Sequence, residues 1–394
     1  MTLKLAVLLL FAVAQTTAVA SFINRVPMRM AGGPLKDTLI VGLGMIWVPG
    51  ALLLILLGWG TPTVQGFLTL RPEMAGASAL LALLAAETLL MLGLGAFSLW
   101  GHLHPVRVSG LRSMTSESVS VDSTPSLPGF ALTTSDLRLI RIEIELPKLP
   151  PAFDGLRLLH LSDLHVEFAG ALTQRTIDLA QDLRPDMIAI TGDFIVNRAT
   201  PDLECFLEGI RRLAPPLGAW AIRGNHDIWH DSAAVVAALE RRGIPLLTNR
   251  GVIVERDGAR LHVVGVEHPW NPVASWDTLL PECNGECRLV LSHTPDTLEH
   301  VASRGADLVL AGHTHGGQWR LPLVGSMIVP SNRGAEYDQG LFQRNGSVMW
   351  VTRGIGTVGV PLRINCPPEI TLLTLRSPGA RRAARAGAEE RSTA

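Results

Sequence analysis

Two things the sequence has little of set its first limits. Cysteine is scarce, with Cys205, Cys283, Cys287 and Cys366 the only four in a chain of 394 residues. Disulfide-stapled scaffolds are shorter and far denser in cysteine, so that class is excluded. Cys283 and Cys287 stand close together with no second Cys or His pair nearby to complete a zinc site, and read as free thiols or one local disulfide. Net charge is nearly absent too: 34 Lys and Arg against 35 Asp and Glu give -1, with a pI of about 6.9. That excludes a broad basic surface for nucleic acid, and no nucleic-acid partner is expected.

What is abundant is apolar sequence, and it is unevenly spread. Hydrophobic residues make up 47% of the chain and mean hydropathy is +0.28, with the excess lying before about residue 101. Runs 5–23 and 38–59 carry no charge, and run 75–100 carries one, Glu87. Each reaches the ~20 residues that cross a hydrocarbon core as a helix, so about three transmembrane helices are expected over 1–104. The first run, with Lys4 before it and Ala18-Val19-Ala20 near its end, also resembles a cleavable signal peptide. If it is retained, Arg25, Arg29 and Lys36 share one side with Arg107 and Arg112, against Lys4 and Arg71 on the other. The positive-inside rule then gives a multi-pass cell (inner) membrane protein with a cytoplasmic C-terminal domain. Glu87 is expected to be protonated or packed against a neighbouring helix.

Residues 105–136, rich in Ser, Thr, Pro and Gly, read as a linker, and 377–394 as a disordered tail. Between them, 137–376 reads as one globular domain. An alternating strand over 137–146 is followed by short apolar runs at 156–161, 187–190, 220–222, 288–291 and 308–311. Helical spacing appears at 174–183, 203–213 and 233–242. Continuous apolar strands interleaved with helices indicate an α/β fold whose sheets are covered on both faces.

A polar cluster follows each of five apolar runs: Asp163 and His165, Asp193, Asn225 and His226, His293, then His313 and His315. Strand ends of α/β sheets are where ligands gather, so these side chains are expected to converge. A mixed histidine and carboxylate set suits manganese, iron or zinc better than magnesium or calcium. The absence of cysteine from the set argues against a structural zinc site. Each motif alone is weak; the ordered set is specific.

Asp163-x-His165, Gly192-Asp193, Gly224-Asn225-His226-Asp227, His293 and Gly312-His313-x-His315 together resemble the calcineurin-like metallophosphoesterase superfamily. The stretch 311–318 (AGHTHGGQ), the stretch 353–363 and Cys366-Pro-Pro-Glu369 resemble its bacterial, membrane-associated branch. The resemblance implies a four-layer sandwich, two β-sheets flanked by helices. It implies two divalent metal ions, manganese favoured, one held by Asp163, His165, Asp193 and His315 and the other by Asp193, Asn225, His293 and His313. A metal-activated hydroxide would attack a phosphate mono- or diester. His226 would act on the leaving oxygen, with Asp227 as its neighbour in the catalytic set. Many relatives carry a carboxylate soon after Gly-Asp to orient that histidine; here the residues are Phe194, Ile195, Val196 and Asn197, so the orienting group is open.

Arg353 and Arg363 are the expected substrate-binding arginines, ahead of Arg223 and Arg333. Trp229, Trp270, Trp276 and Trp319 flank the site, as a rim for an apolar substrate, as bilayer contacts or as packing. The anchor points to a lipid-linked substrate. Other readings are a membrane receptor or scaffold with a metal site that does not turn over, and a protein phosphatase, which Asn197 and Asp227 count against.

Overall fold

The structure is a computed structural model that describes residues 108–119, 126–127, 130–281, 285–321 and 325–379. The three apolar runs, Glu87, Cys283 and most of the tail lie outside the described residues. Among those described, no helix is long and apolar enough to cross a membrane. The chain divides into two units, Met1–Pro105 with Leu321–Glu336, and Val106–Arg320 with Tyr337–Ala394. The second carries both large sheets and every residue of the candidate site.

The strands of its two large sheets are β1 (Leu111–Ser118), β2 (Arg138–Glu145), β3 (Leu156–Leu161), β4 (Met187–Thr191), β5 (Ala219–Ile222), β6 (Arg250–Arg256), β7 (Ala259–Val266), β8 (Arg288–Ser292), β9 (Leu308–Ala311), β10 (Gly340–Arg344), β11 (Ser347–Val351) and β12 (Glu369–Arg376). They form two six-stranded sheets, in the orders β1-β2-β12-β3-β4-β5 and β10-β11-β9-β8-β7-β6. The ligand-bearing strands run parallel in each sheet, β3 to β5 in the first, and β8 and β9, with β7 parallel beside β8, in the second. Their carboxyl ends therefore lie at one end of their sheet.

Apolar side chains explain the layering. Residues of alternate parity on each strand face opposite ways. Ile142, Leu158, Met187 and Leu373 of the first sheet meet Val263, Leu289, Leu310 and Trp350 of the second in a shared core. The outward set of the first sheet, Leu159, Leu161, Ile188 and Ile190, packs under α2 (Ala171–Leu183), α3 (Pro201–Leu213) and α5 (Ser232–Arg241). The outward set of the second, Val264, Val290, Val309 and Met349, packs under α7 (Leu298–Ala302). Helix, sheet, sheet, helix is the expected sandwich. The remaining helical segments are short: α1 (Val166–Ala169), α4 (Asn225–Trp229) and α6 (Trp276–Leu279).

One boundary differs from expectation. The stretch read as linker contains β1, which pairs antiparallel with β2 along its length. All eight β1 residues are exposed, so its sequence, LRSMTSES, shows no apolar alternation. It is held by ladder hydrogen bonds and by Arg112, which bridges to Glu143 and Glu145.

Candidate metal centre

Sharp turns directly after the strands create the site. Asp163 and His165 follow β3, Asp193 follows β4, and His313 and His315 follow β9; all five have left-handed backbones, with φ between 41° and 69°. A non-glycine residue rarely adopts that conformation, and it persists only where the surroundings enforce it. Two glycines permit the crowding. A Cβ on Gly312 would overlap Ser162 Oγ and Asp163 Oδ2, and one on Gly224 would overlap Asp193 Oδ1.

The turns bring the side chains into two groups. Asp163, His165 and His315 offer ligand atoms within 4.8 Å of one another, and so do Asp193, His293 and His313. Asp193 Oδ2 lies 3.2 Å from His293 Nε2 and 3.6 Å from His165 Nε2, between the groups. Asn225 is buried and its Oδ1 has no partner; His293 Nε2 likewise makes no well-directed hydrogen bond. His165 Nε2 and His315 Nε2 face each other at 3.1 Å.

The tautomers follow from the outer contacts. His165 Nδ1 donates to the Ile195 carbonyl at 2.9 Å and His293 Nδ1 to the Thr191 carbonyl at 2.7 Å. Each turns its Nε2 toward the site, the orientation a metal-bound imidazole takes. Buried ligand atoms without partners are costly in a dry interior, and a divalent ion would satisfy them. Charge agrees with geometry. Burial pushes Asp163 up to about 6 and His165 down to about 4. Burial opposes ionisation of Asp193 as well, but the charges of His293 and His165 outweigh it and hold the carboxylate low. His293, which burial alone would lower, is raised to about 9 by Asp193. The pocket attracts positive charge, and its residues fit two divalent ions.

His226 stands beside the first group, its ring 5.0 Å from that of His165. Its backbone N–H donates to Asp193 Oδ1 at 2.9 Å, and its Nδ1 bonds the Val196 carbonyl at 2.8 Å. Val196 is thus the group that orients His226. Asp227 plays a different part from the catalytic one expected. Its wholly buried carboxylate accepts N–H bonds from Phe194 and Gly224 at 2.9 Å and from Ile195 at 3.3 Å. Glu167, which the sequence did not single out, continues the series, accepting from Val196 at 2.7 Å, Asn197 at 2.8 Å and Arg198 at 3.1 Å. Two carboxylates therefore hold five consecutive N–H groups after Asp193, and the carbonyls of that segment orient His165 and His226. No motif marks Glu167; only its place two residues after His165 hints at the role.

The two arginines expected at the substrate have their guanidinium groups engaged within the protein. Arg353 is ion-paired with the buried Glu369, which also accepts the Arg353 backbone N–H. Arg363 is wholly buried and donates to the carbonyls of Arg353, Gly356 and Cys366 and to His315 Nδ1 at 3.3 Å. It ties the glycine-rich loop to the ligand turn. Arg223 is bound to Glu267.

The comparisons with known proteins agree with this geometry. A family model described as calcineurin-like phosphoesterase matches residues 156–317. The phosphodiesterase YaeI of Escherichia coli (strain K12) is 32% identical over 228 residues, 56% of this chain and 82% of that protein. A Danio rerio "transmembrane protein with metallophosphoesterase domain" is 29% identical over 258 residues, 61% of this chain and 57% of that one. The UDP-2,3-diacylglucosamine pyrophosphatase LpxG of Chlamydia trachomatis is 25% identical over 295 residues, 60% of this chain and 88% of that protein. With its two sheets, its paired ligand groups and these relatives, the chain belongs to the calcineurin-like metallophosphoesterases, metal-dependent hydrolases of phosphoric esters.

Proposed function

We propose that the domain hydrolyses phosphate diesters with two divalent ions, manganese ahead of iron or zinc. Asp163, His165 and His315 would hold one ion, Asn225, His293 and His313 the other, and Asp193 both. The observation that carries this reading is the pair of ligand groups, Asp163 with His165 and His315 and Asp193 with His293 and His313, with Asp193 Oδ2 near both His293 and His165, and with Asn225 Oδ1 buried and unpartnered. Bound there, the ions would supply positive charge for the phosphoryl oxygens and acidify water. The chain's own residues do the rest. Glu167 and Asp227 fix the segment after Asp193. That segment fixes the His226 ring, whose Nε2 is left to hold a proton for the leaving oxygen.

A diester fits better than a monoester. A monoester dianion calls for additional cations beside the ions, and Arg223, Arg353 and Arg363 are committed to Glu267, Glu369 and backbone carbonyls. The Escherichia coli relative is named a phosphodiesterase, which agrees. A lipid-linked substrate and a membrane anchor over 1–104 belong to the same reading, supported by the three apolar runs and by relatives named as a transmembrane protein and a diacylglucosamine pyrophosphatase.

The test is hydrolysis of bis-p-nitrophenyl phosphate and p-nitrophenyl phosphate by the manganese-loaded chain. The diester is expected to be preferred, and Asp193→Asn and His226→Ala each to lower turnover by about a hundredfold or more. No turnover of either ester by folded, metal-loaded protein would turn the reading toward the receptor or scaffold.

A further inference from the structure

Two indoles stand at the metal centre without a part in the chemistry described so far. Trp270 lies edge-on to two candidate ligands, 4.8 Å from the His313 ring and 5.5 Å from that of His293. Trp229, one helical turn after His226, lies 6.1 Å from that histidine. The indoles meet each other edge to face at 6.3 Å. Together they form a right-angled wall, one leaf beside the second ligand group and the other beside the histidine assigned to the leaving oxygen. Trp229 is 59% exposed, the highest value among the exposed large hydrophobic side chains described. An indole left that open beside a polar centre invites an apolar partner.

The wall is built rather than incidental. Trp270 sits on the turn after β7, and Glu267, wholly buried at the start of that turn, pins it. Glu267 accepts from Asn271 Nδ2 at 2.9 Å, and its carbonyl accepts the Asn271 backbone N–H at 2.9 Å. Asn249 Nδ2 holds the Asn271 carbonyl at 2.9 Å. The same Glu267 carboxylate accepts the Arg223 backbone N–H and its guanidinium, immediately before Gly224-Asn225-His226. One buried carboxylate thus positions both leaves, and a surface fixed before binding loses little entropy on binding.

We propose that the Trp229–Trp270 wall is a substrate subsite that takes an apolar substituent of the phosphate diester. This rests on the diesterase reading, because only an ester held at the ligand groups places a substituent against both rings. A diester has two substituents and one phosphoryl charge, so one carbon group can lie on the indoles while the charge stays at the ligands. An aromatic ring and an alkyl chain share this chemistry, and the experiment separates them.

The probes are the ethyl, butyl and phenyl monoesters of methylphosphonic acid, singly charged like a diester. Their binding to the full-length, manganese-loaded chain is measured by calorimetry, which needs no turnover, and hydrolysis of bis-p-nitrophenyl phosphate is assayed on the same samples. Wild type is expected to bind the butyl or phenyl ester about fivefold or more tighter than the ethyl ester. The gain should shrink toward none in Trp229→Ala, whose exposed site puts folding at little risk, and return in part in Trp229→Phe. A gain for phenyl alone assigns the wall to a ring; a gain for both assigns it to apolar groups in general. Equal affinity for all three probes in wild type, or an undiminished gain in Trp229→Ala, overturns the subsite even if the diester is hydrolysed. Absence of hydrolysis with the gain intact would instead overturn the diesterase reading and leave an apolar anion site.

Discussion

At the scale of single residues, the centre depends on side chains that never meet the substrate. Five backbone N–H groups in a row, from Phe194 to Arg198, are satisfied by two carboxylates, Asp227 and Glu167. A segment with every donor fixed presents its carbonyls rigidly, and two of them set the tautomers of His165 and His226. Glu167 is the more informative residue to change, because it takes three of the five and is not itself a candidate ligand. Glu167→Ala is expected to lower kcat by about tenfold to a hundredfold, the usual cost of losing an outer partner, while manganese content holds. Glu167→Gln, which keeps one acceptor oxygen, should fall between. Equal loss of metal and activity would instead mean that Glu167 acts by retaining the ions. Arg353 and Arg363 teach the converse lesson. Their place in a glycine-rich motif suggested substrate, but a buried guanidinium with Glu369 or carbonyls around it is a tie between loops.

At the scale of elements, β3 carries a titratable group inside the sheet. His160 is wholly buried, with Nε2 bonded to Thr191 Oγ1 at 2.8 Å and Nδ1 without a partner, and burial lowers its pKa to about 3. An unfolded histidine titrates near ~6.5. Between those values the unfolded chain binds a proton that the folded chain refuses, so stability falls as pH falls through that window. Taking the chain from pH 7 to pH 5 should cost wild type about 2 kcal/mol that His160→Leu does not lose, read as the difference in their denaturant midpoints. Equal losses would show that His160 takes up its proton while folded. The strands that carry ligands were legible in the sequence because both of their faces are buried, giving unbroken apolar runs such as Met187–Thr191 and Leu308–Ala311. The hairpins β6–β7 and β10–β11 carry a local signal of their own, since Asp257-Gly258 and Asn345-Gly346, all four with positive φ, are the turn dipeptides that mark such pairs. The strand β1 offered no signal, since a fully exposed edge strand has no face to pattern. A domain cut at residue 137 would remove it and leave the edge of β2 open.

At the scale of the whole molecule, the candidate ligands were legible because each sits directly behind a buried strand, whereas the bracing carboxylates and the indole wall depend on which loops meet. The registers also show where the chain enters the folded domain. Ser118 pairs with Arg138, Arg138 with Glu369, and the strand that begins there runs antiparallel to β3, so β1 starts at the end of its sheet away from the ligands. Arg112 lies within that strand and is spent on Glu143 and Glu145, so it belongs to the domain and drops out of the charges that orient the apolar runs. The remaining cations are Arg25, Arg29, Lys36 and Arg107 on one side against Lys4 and Arg71 on the other, an excess on the same side as before. The positive-inside rule still gives the expected orientation, with a smaller margin. A fluorescent protein that matures only in the cytoplasm should be bright when fused after Ala394, and a phosphatase reporter active only outside should be silent there. Replacing Arg25, Arg29 and Lys36 with Gln should weaken that asymmetry, since they are three of the four cations on the side expected to be cytoplasmic. The reverse pattern in the unaltered chain would place the metal centre outside the cell, as cleavage of the first run after Ala20 would also do, and mass spectrometry of the mature N-terminus would tell those two cases apart.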